Sequence, residues 1–251
     1  MTPGRAPTVV LTTVPGSLAG LAGRLRDEGF SVREAPLLSF GPPADWAPVD
    51  GAIFRLPEFR AIAVTSPRAA EAFSARVAGH RVNPPRGQEA WATGSATAEA
   101  LRDLFDPVHV PSSLVTLDAG AGSLLASAML AAHVGSPVLF PCGDTRRDEL
   151  PSVLRTGGIA VEEVVCYRSL LAEDDEARRA ILGADVLLVA SPRVATLAAK
   201  VSPRDERPAL VAIGPTTAAA ARAAGWAPAG VAKRPTVDAV AERIRALAKR
   251  H

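Results

Sequence analysis

The chain has 251 residues, 48% of them hydrophobic and 22% charged, enough for two small domains or one large domain with a well-buried core. A net charge of +2, basic residues that never gather into runs and an aromatic content of 4% argue against a nucleic-acid surface, whether charged or stacking. Only two cysteines are present, Cys142 and Cys166, with no CxxC pair and no histidine at ligand spacing, so a disulfide framework and a zinc site are not expected.

In chain order, Val9 to Thr13 is a β-branched run suited to a buried parallel strand. Pro15-Gly16-Ser17 breaks it, and Ser17 is placed to cap a helix carrying Leu18, Leu21, Ala22 and Leu25 on one face. Gly29 reads as the residue that closes this helix, with a second strand from Phe30 to Val32. The Pro-rich segment Gly41 to Val49 reads as a linker or exposed crossing. A strand at Ala61 to Val64 ends in Thr65-Ser66-Pro67-Arg68 and leads into a helix over Ala69 to Val77. Glu89 to Thr93 is the next strand, and Gly94-Ser95-Ala96-Thr97-Ala98 opens another helix. After a short strand at Val108 to Val110, Gly120-Ala121-Gly122 reads as a flexible lead-in to a helix near Ser123 to Ala132. The second half repeats these signals. Its strands fall at Val138 to Phe140, Val164 to Cys166, Asp185 to Val189, Ala209 to Ile213 and Gly230 to Ala232. Its helices include Val194 to Lys200 and Val237 to Lys249, and an acidic stretch, Glu173 to Glu176, offers a second boundary.

The halves match at a constant offset. Val138-Leu139-Phe140 lies 129 residues after Val9-Val10-Leu11, Leu150 and Leu154 lie 129 after Leu21 and Leu25, and Gly158 lies 129 after Gly29. Strands alternating with helices predict parallel sheets covered on both faces, about five strands per copy, the size of a flavodoxin-like domain. The repeat boundary near Gly135 does not coincide with the linker candidates. The first strand-helix-strand unit is therefore expected to join the last part of the chain around a contiguous middle domain, with two passes of chain between them.

In open parallel sheets ligands bind beyond the carboxyl ends of the strands, against helix N-termini that favour anions. The hydroxyl residues at those ends are Thr65, Ser66, Ser95, Thr97, Ser191, Thr216 and Thr217. Each alone is also a common helix cap; the set, repeated at matching positions, points to a ligand cleft. The loop Pro141 to Arg147 follows a strand and opens a helix, so Gly143 could let the backbone approach an anion and Arg146 and Arg147 could add charge. It is no Walker motif, and no Gly-x-Gly-x-x-Gly follows a strand, which weakens a nucleotide-binding reading. His80, His109, His133 and His251 are scattered and read as exposed rather than catalytic. Tyr167, the only tyrosine, ends the strand Val164 to Cys166; it is either a reactive-site hydroxyl or an interfacial ring reaching water. Met1 to Pro7 lacks the pattern of a signal peptide, and Leu124 to Val134 falls far short of the ~20 apolar residues of a membrane span, so the cytoplasm is expected.

Taken together, Val-Thr-Ser-Pro-Arg at 64–68, Gly-Ser-Ala-Thr-Ala at 94–98, Cys166-Tyr167-Arg168, Ala-Ser-Pro-Arg at 190–193, Ala-Ile-Gly-Pro-Thr-Thr-Ala at 212–218 and Pro235-Thr236 resemble uroporphyrinogen-III synthases. The chain departs from many bacterial members at Thr13-Val14-Pro15, where they carry Thr-Arg-Pro, and at Ala190, where they carry Thr. The resemblance implies two flavodoxin-like domains, 1–38 plus 171–251 and 39–170, joined by two crossing strands. It implies no metal or organic cofactor; a monomer is expected separately, because the sequence shows no conspicuous sticky face. It also implies the substrate hydroxymethylbilane, whose eight carboxylates suit a cleft ringed by helix N-termini. By the same resemblance Tyr167 assists loss of the substrate hydroxyl, and Thr65, Ser66, Ser95, Thr97, Gly143, Ser191, Arg193, Thr216 and Thr217 bind substrate. The other reading left open is a two-domain module that closes on an anionic ligand without chemistry.

Overall fold

The computed structural model describes residues 5–112 and 120–248. Lys249 and His251, and Met1 to Gly4 of the N-terminal stretch, lie outside the described residues. The chain falls into two compact units, Met1–Ser39 with Leu170–His251, and Phe40–Ser169.

The first unit holds strands β1 (Thr8–Leu11) and β2 (Ser31–Glu34) around helix α1 (Leu21–Asp27). Strand β3 (Leu38–Gly41) carries the chain into the second unit. There α2 (Ala47–Phe54), β4 (Ala61–Val64), α3 (Pro67–His80), β5 (Glu89–Ala92), α4 (Ser95–Glu99), β6 (Val108–His109), α5 (Ala121–Ala131), β7 (Val138–Gly143) and α6 (Glu149–Thr156) follow. The long strand β8 (Val161–Leu171) leads back. The first unit then finishes with α7 (Asp174–Ile181), β9 (Val186–Val189), α8 (Pro192–Val201), β10 (Ala209–Ala212), α9 (Pro215–Ala223), β11 (Gly230–Val231) and α10 (Val237–Ala248).

The first sheet has the order β11-β10-β9-β1-β2, the flavodoxin-like order, with its neighbouring strands parallel. The second has the order β3-β8-β7-β4-β5-β6, and its pairs from β8 to β6 are parallel. Setting β3 aside, β8-β7-β4-β5-β6 reproduces β2-β1-β9-β10-β11. The second unit is therefore a circular permutation of the first: its strand-helix-strand piece β7-α6-β8 comes last in the chain rather than first.

The sequence offset is also a structural register. Val9 pairs with Val32 and, 129 residues on, Val138 pairs with Val161. Leu21 and Leu25 are buried under β1 as Leu150 and Leu154 are under β7. Both helices end in the same way. Gly29 and Gly158 take φ +89° and +85°, and Phe30 N–H and Ile159 N–H donate back to Leu25 and Leu154 carbonyls at 3.0 Å. A side chain is disfavoured at such angles, which is why the closing residue is glycine in both copies.

Alternation along the strands feeds apolar layers on both faces of each sheet. In the first unit Val10, Leu187 and Leu210 pack towards α7, α8 and α9, whereas Val9, Leu11, Leu188 and Val211 pack towards α1 and α10. In the second, Ile62, Val64 and Val164 face α2, α3 and α4; Ala61, Ala63, Val138 and Phe140 face α5 and α6. These all-apolar runs are what a doubly covered parallel sheet requires.

Two expectations are corrected and a third gains a structural reading. Ser17 does not cap the first helix, which begins only after Gly20 at φ +88°; Ser17 lies in a preceding turn whose Leu18 also has positive φ. The Pro-rich segment is not merely a linker. Pro48 sits in the first turn of α2, where its missing N–H costs nothing, and Val49, Ala52 and Ile53 are fully buried. The acidic stretch opens α7, with Asp174, Asp175 and Glu176 in its first turn, where negative charge suits the helix dipole.

Candidate active site

In a sheet of this order the natural site is the switch point, beyond the carboxyl ends of the two central strands. In the second unit those are β4 and β7. A cavity of about 270 Å³ lies there, lined by Thr65 and Ser66 after β4, Gly143, Arg146 and Arg147 after β7, Tyr167 from β8, and Ala121, Gly122, Glu149 and Leu150. Ser66, Ala121 and Glu149 stand at the starts of α3, α5 and α6, so three helix N-termini meet at one cavity. Their free N–H groups and dipoles favour an anion.

Tyr167 reaches this place because β8 is irregular. Cys142 pairs with Val165, but Gly143 pairs with Tyr167, so Cys166 is the extra residue of a β-bulge. Simple alternation would put Tyr167 on the face of Val165, towards α5 and α6. The bulge moves it to the face of Val164 and Cys166, where it packs against the α2–α4 layer. Two hydrogen bonds hold the bulge: Asp144 N–H donates to the Tyr167 carbonyl (3.1 Å) and the Asp144 carboxylate accepts from Ser169 N–H (3.0 Å). The phenol hydroxyl lies 3.4 Å from Ser66 Oγ, and its ring meets Phe40 edge-on at 5.7 Å. Ser66 has extended backbone and caps α3 by accepting from Ala69 N–H at 3.4 Å.

The glycines here are demanded by close approach. A β-carbon on Gly143 would stand 2.5 Å from Tyr167 Cζ and 2.7 Å from its hydroxyl oxygen. Gly143 therefore makes room for the phenol while its backbone still lines the cavity. Gly120 and Gly122, expected as a flexible lead-in, instead let the Glu149 side chain pack against the start of α5; a β-carbon on Gly122 would meet Glu149 Cβ at 3.3 Å.

Of the two arginines, Arg146 is committed to Glu163, which Arg155 also binds at 2.7 Å. Burial works to raise the Glu163 carboxyl, but the two guanidinium hydrogen bonds outweigh it and hold it below the usual carboxylate range. Arg147 is exposed and reaches Glu149 at 3.4 Å. Burial pushes the Cys142 and Cys166 thiols up to about 12, so neither is a nucleophile. Among the described residues no three His, Cys, Asp or Glu are grouped to hold a metal ion, and no helix is long and apolar enough to cross a membrane. His80 is not exposed as expected: it is half-buried and bonds Asp50 at 2.8 Å, so its role is structural.

The expected binding residues divide between the units. Thr65, Ser66, Gly143 and Tyr167 come together at the one cavity. Ser95 and Thr97 sit beyond the neighbouring strand β5, Ser95 exposed and Thr97 buried, and neither lines it. The two strand ends are joined where Thr93 Oγ1 donates to the Thr65 carbonyl at 3.2 Å. Ser191, Arg193, Thr216 and Thr217 occupy the matching strand ends of the first unit. Ser191 copies the Ser66 backbone, with φ −143° in both, but accepts no capping bond. Thr217 is buried like Thr97, and Thr216 is exposed. Arg193 lines a separate cavity of about 570 Å³ with Leu197, Lys200 and Asp174. The arginine pair after β7 is legible in the sequence as charge added to the loop, whereas nothing local marks Glu149.

A family model described as Uroporphyrinogen-III synthase HemD matches residues 19–242. The chain belongs to the uroporphyrinogen-III synthase family. It is 29% identical over 182 residues to the uroporphyrinogen-III synthase of Synechococcus elongatus, a stretch covering 64% of this chain and 60% of that relative. The match thus spans less than two-thirds of the relative's length. Its fold is similar to crystal structures of a mutant uroporphyrinogen III synthase of Thermus thermophilus (TM-score 0.63, 16% identity, 97% of this chain and 100% of that one) and of the Helicobacter pylori enzyme (TM-score 0.60, 18% identity, 97% and 99%). Those two likenesses place this synthase-family chain in a shared two-domain α/β fold.

Proposed function

We propose that the protein cyclises hydroxymethylbilane to uroporphyrinogen III, losing water and inverting the terminal pyrrole ring, at the cavity around Tyr167. The observation that carries this reading is the β-bulge that sets a lone phenol beside three helix N-termini. The helix N-termini receive a carboxylate of the substrate, and Tyr167 faces the carbon that reacts.

In the first step the electron-rich pyrrole breaks its own C–O bond. Electron density from the ring nitrogen leaves an azafulvene, and the departing hydroxyl takes up a proton as water. Tyr167 donates a hydrogen bond to that hydroxyl as negative charge builds on it, and Ser66, 3.4 Å away, orients the phenol. The terminal ring then attacks the azafulvene carbon, and a spiro intermediate opens and recloses with that ring inverted. Unaided closure gives the uninverted isomer, so the main task is holding one geometry. A site poor in acid–base groups suits that task.

On the same reading Ser95, Thr97, Ser191, Arg193, Thr216 and Thr217 grip further carboxylates of the polyanion. The protein acts as a monomer in the cytoplasm, without a metal or organic cofactor. Incubation with hydroxymethylbilane followed by separation of the type I and type III isomers tests the reading. Predominant type III product is expected; type I alone would leave a binding protein without this chemistry.

A further inference from the structure

Tyr167 is also one wall of a second, larger cavity of about 520 Å³, on the side of α2 and α3. The chain has only seven Phe, three Trp and one Tyr. Three of these rings, Phe40, Trp46 and Tyr167, line this one cavity, together with Arg68 and Arg76. Arg76 is spoken for: it stacks on Trp46 at 4.8 Å and makes two hydrogen bonds of 2.6 Å to Asp50. Arg68 is different. Its guanidinium lies 3.6 Å from the Phe40 ring centroid and 5.8 Å from that of Tyr167, and among the described residues it contacts no carboxylate. The cavity therefore offers aromatic faces and one uncompensated planar cation, already oriented by stacking.

The matching cavity of the first unit shows that this is not a by-product of the fold. Arg193 stands where Arg68 does, but its neighbours there are Leu171, Glu173 and Asp174, with Lys200 paired to Asp174 and no aromatic ring on the wall. Only the second unit's cavity combines rings with a cation free of acidic neighbours.

We infer that the Phe40–Trp46–Arg68 cavity is a subsite for one pyrrole ring of the substrate. The ring lies against the aromatic side chains, and its acidic side chain takes the Arg68 guanidinium. The volume falls in the range of about 300–1,000 Å³ typical of small-molecule sites. Rings and guanidinium together match a flat, electron-rich heterocycle bearing a carboxylate, and a carboxylate pairs with such a guanidinium in two parallel hydrogen bonds. Because Tyr167 borders both cavities, a ring held here lies next to the reacting one, and its binding serves to orient the chain for closure. This inference rests on the function proposed above and adds the residues that seat a neighbouring ring.

The test uses a monopyrrole bearing one acetate and one propionate, titrated into the intact protein while tryptophan fluorescence is followed. Saturable quenching is expected, lost in Trp46→Phe. In Arg68→Gln the dissociation constant is expected to rise about tenfold, the loss of one charge-assisted interaction, with partial recovery in Arg68→Lys. In turnover, Arg68→Gln raises KM more than it lowers kcat. Arg68 is exposed near the start of α3, so its variants are expected to fold, and Trp46→Phe keeps an aromatic ring at the half-buried position. Quenching that survives Trp46→Phe, or an Arg68→Gln variant that binds the monopyrrole as tightly as the wild type, overturns the subsite. That outcome is separate from failure of the proposed function, which would show as wild-type protein yielding only type I product while the monopyrrole still binds.

Discussion

Gly143 and Tyr167 face each other across β7 and β8 so closely that a β-carbon on Gly143 would stand 2.5 Å from the phenol's Cζ. Gly143 ends a fully buried strand, so the backbone there cannot yield. The ring must move instead.

The first prediction follows from that contact. Gly143→Ala should cut kcat by about as much as loss of the tyrosine hydroxyl itself, because it acts by displacing Tyr167. The double variant Gly143→Ala/Tyr167→Phe should be no slower than the slower single variant, the non-additivity expected of groups in direct contact. Multiplying effects in the double variant would show that Gly143 acts independently of the tyrosine.

Asp50 gives a pH prediction. The hydrogen bond from Arg76 lowers its carboxyl from 3.8 to about 2; burial opposes this and the His80 bond adds to it. A depressed carboxyl stabilises the fold above its unfolded value, and that stability is lost as pH falls through the folded value. Asp50→Asn should therefore be less stable than the wild type at pH 7, with the difference narrowing between about pH 4 and pH 2. Denaturant unfolding at a series of pH values measures it. A constant difference across that range would remove Asp50 as the titrating group.

The thiols give a third. With both cysteines buried and pushed to about 12, neither Cys142 nor Cys166 should react with a thiol reagent at pH 8 while the protein is folded, and both should react once denaturant is added. Rapid labelling of native protein at either position would contradict the packing around β7 and β8.

Much of this architecture is legible in the residues. The offset of 129 between Val9 and Val138 is read directly from the chain, and it proves to be the register of two sheets. Such registers show in sequence because apolar runs and closing glycines are local. Circular permutation is visible for the same reason, as a repeat boundary that disagrees with the linkers. What escapes is set by pairing between distant strands. Nothing local to Cys166 announces a bulge, so Tyr167 could be singled out but not placed. The glycines at 120, 122 and 143 read as freedom or anion contact, whereas Glu149 and the phenol, distant in sequence, are what exclude a side chain there. Helix α2 is hidden in the sequence because its prolines also read as a linker signal, although Pro48 fits a first helical turn.

The central claim is that the bulge-positioned phenol assists departure of the substrate hydroxyl. Single-turnover conversion of hydroxymethylbilane by Tyr167→Phe, with both isomers quantified, tests it most directly. A loss of about 10²-fold in the rate of type III formation is predicted, as for removal of a positioned proton donor, with substrate binding little changed. Type III formation by Tyr167→Phe at the wild-type rate would contradict it.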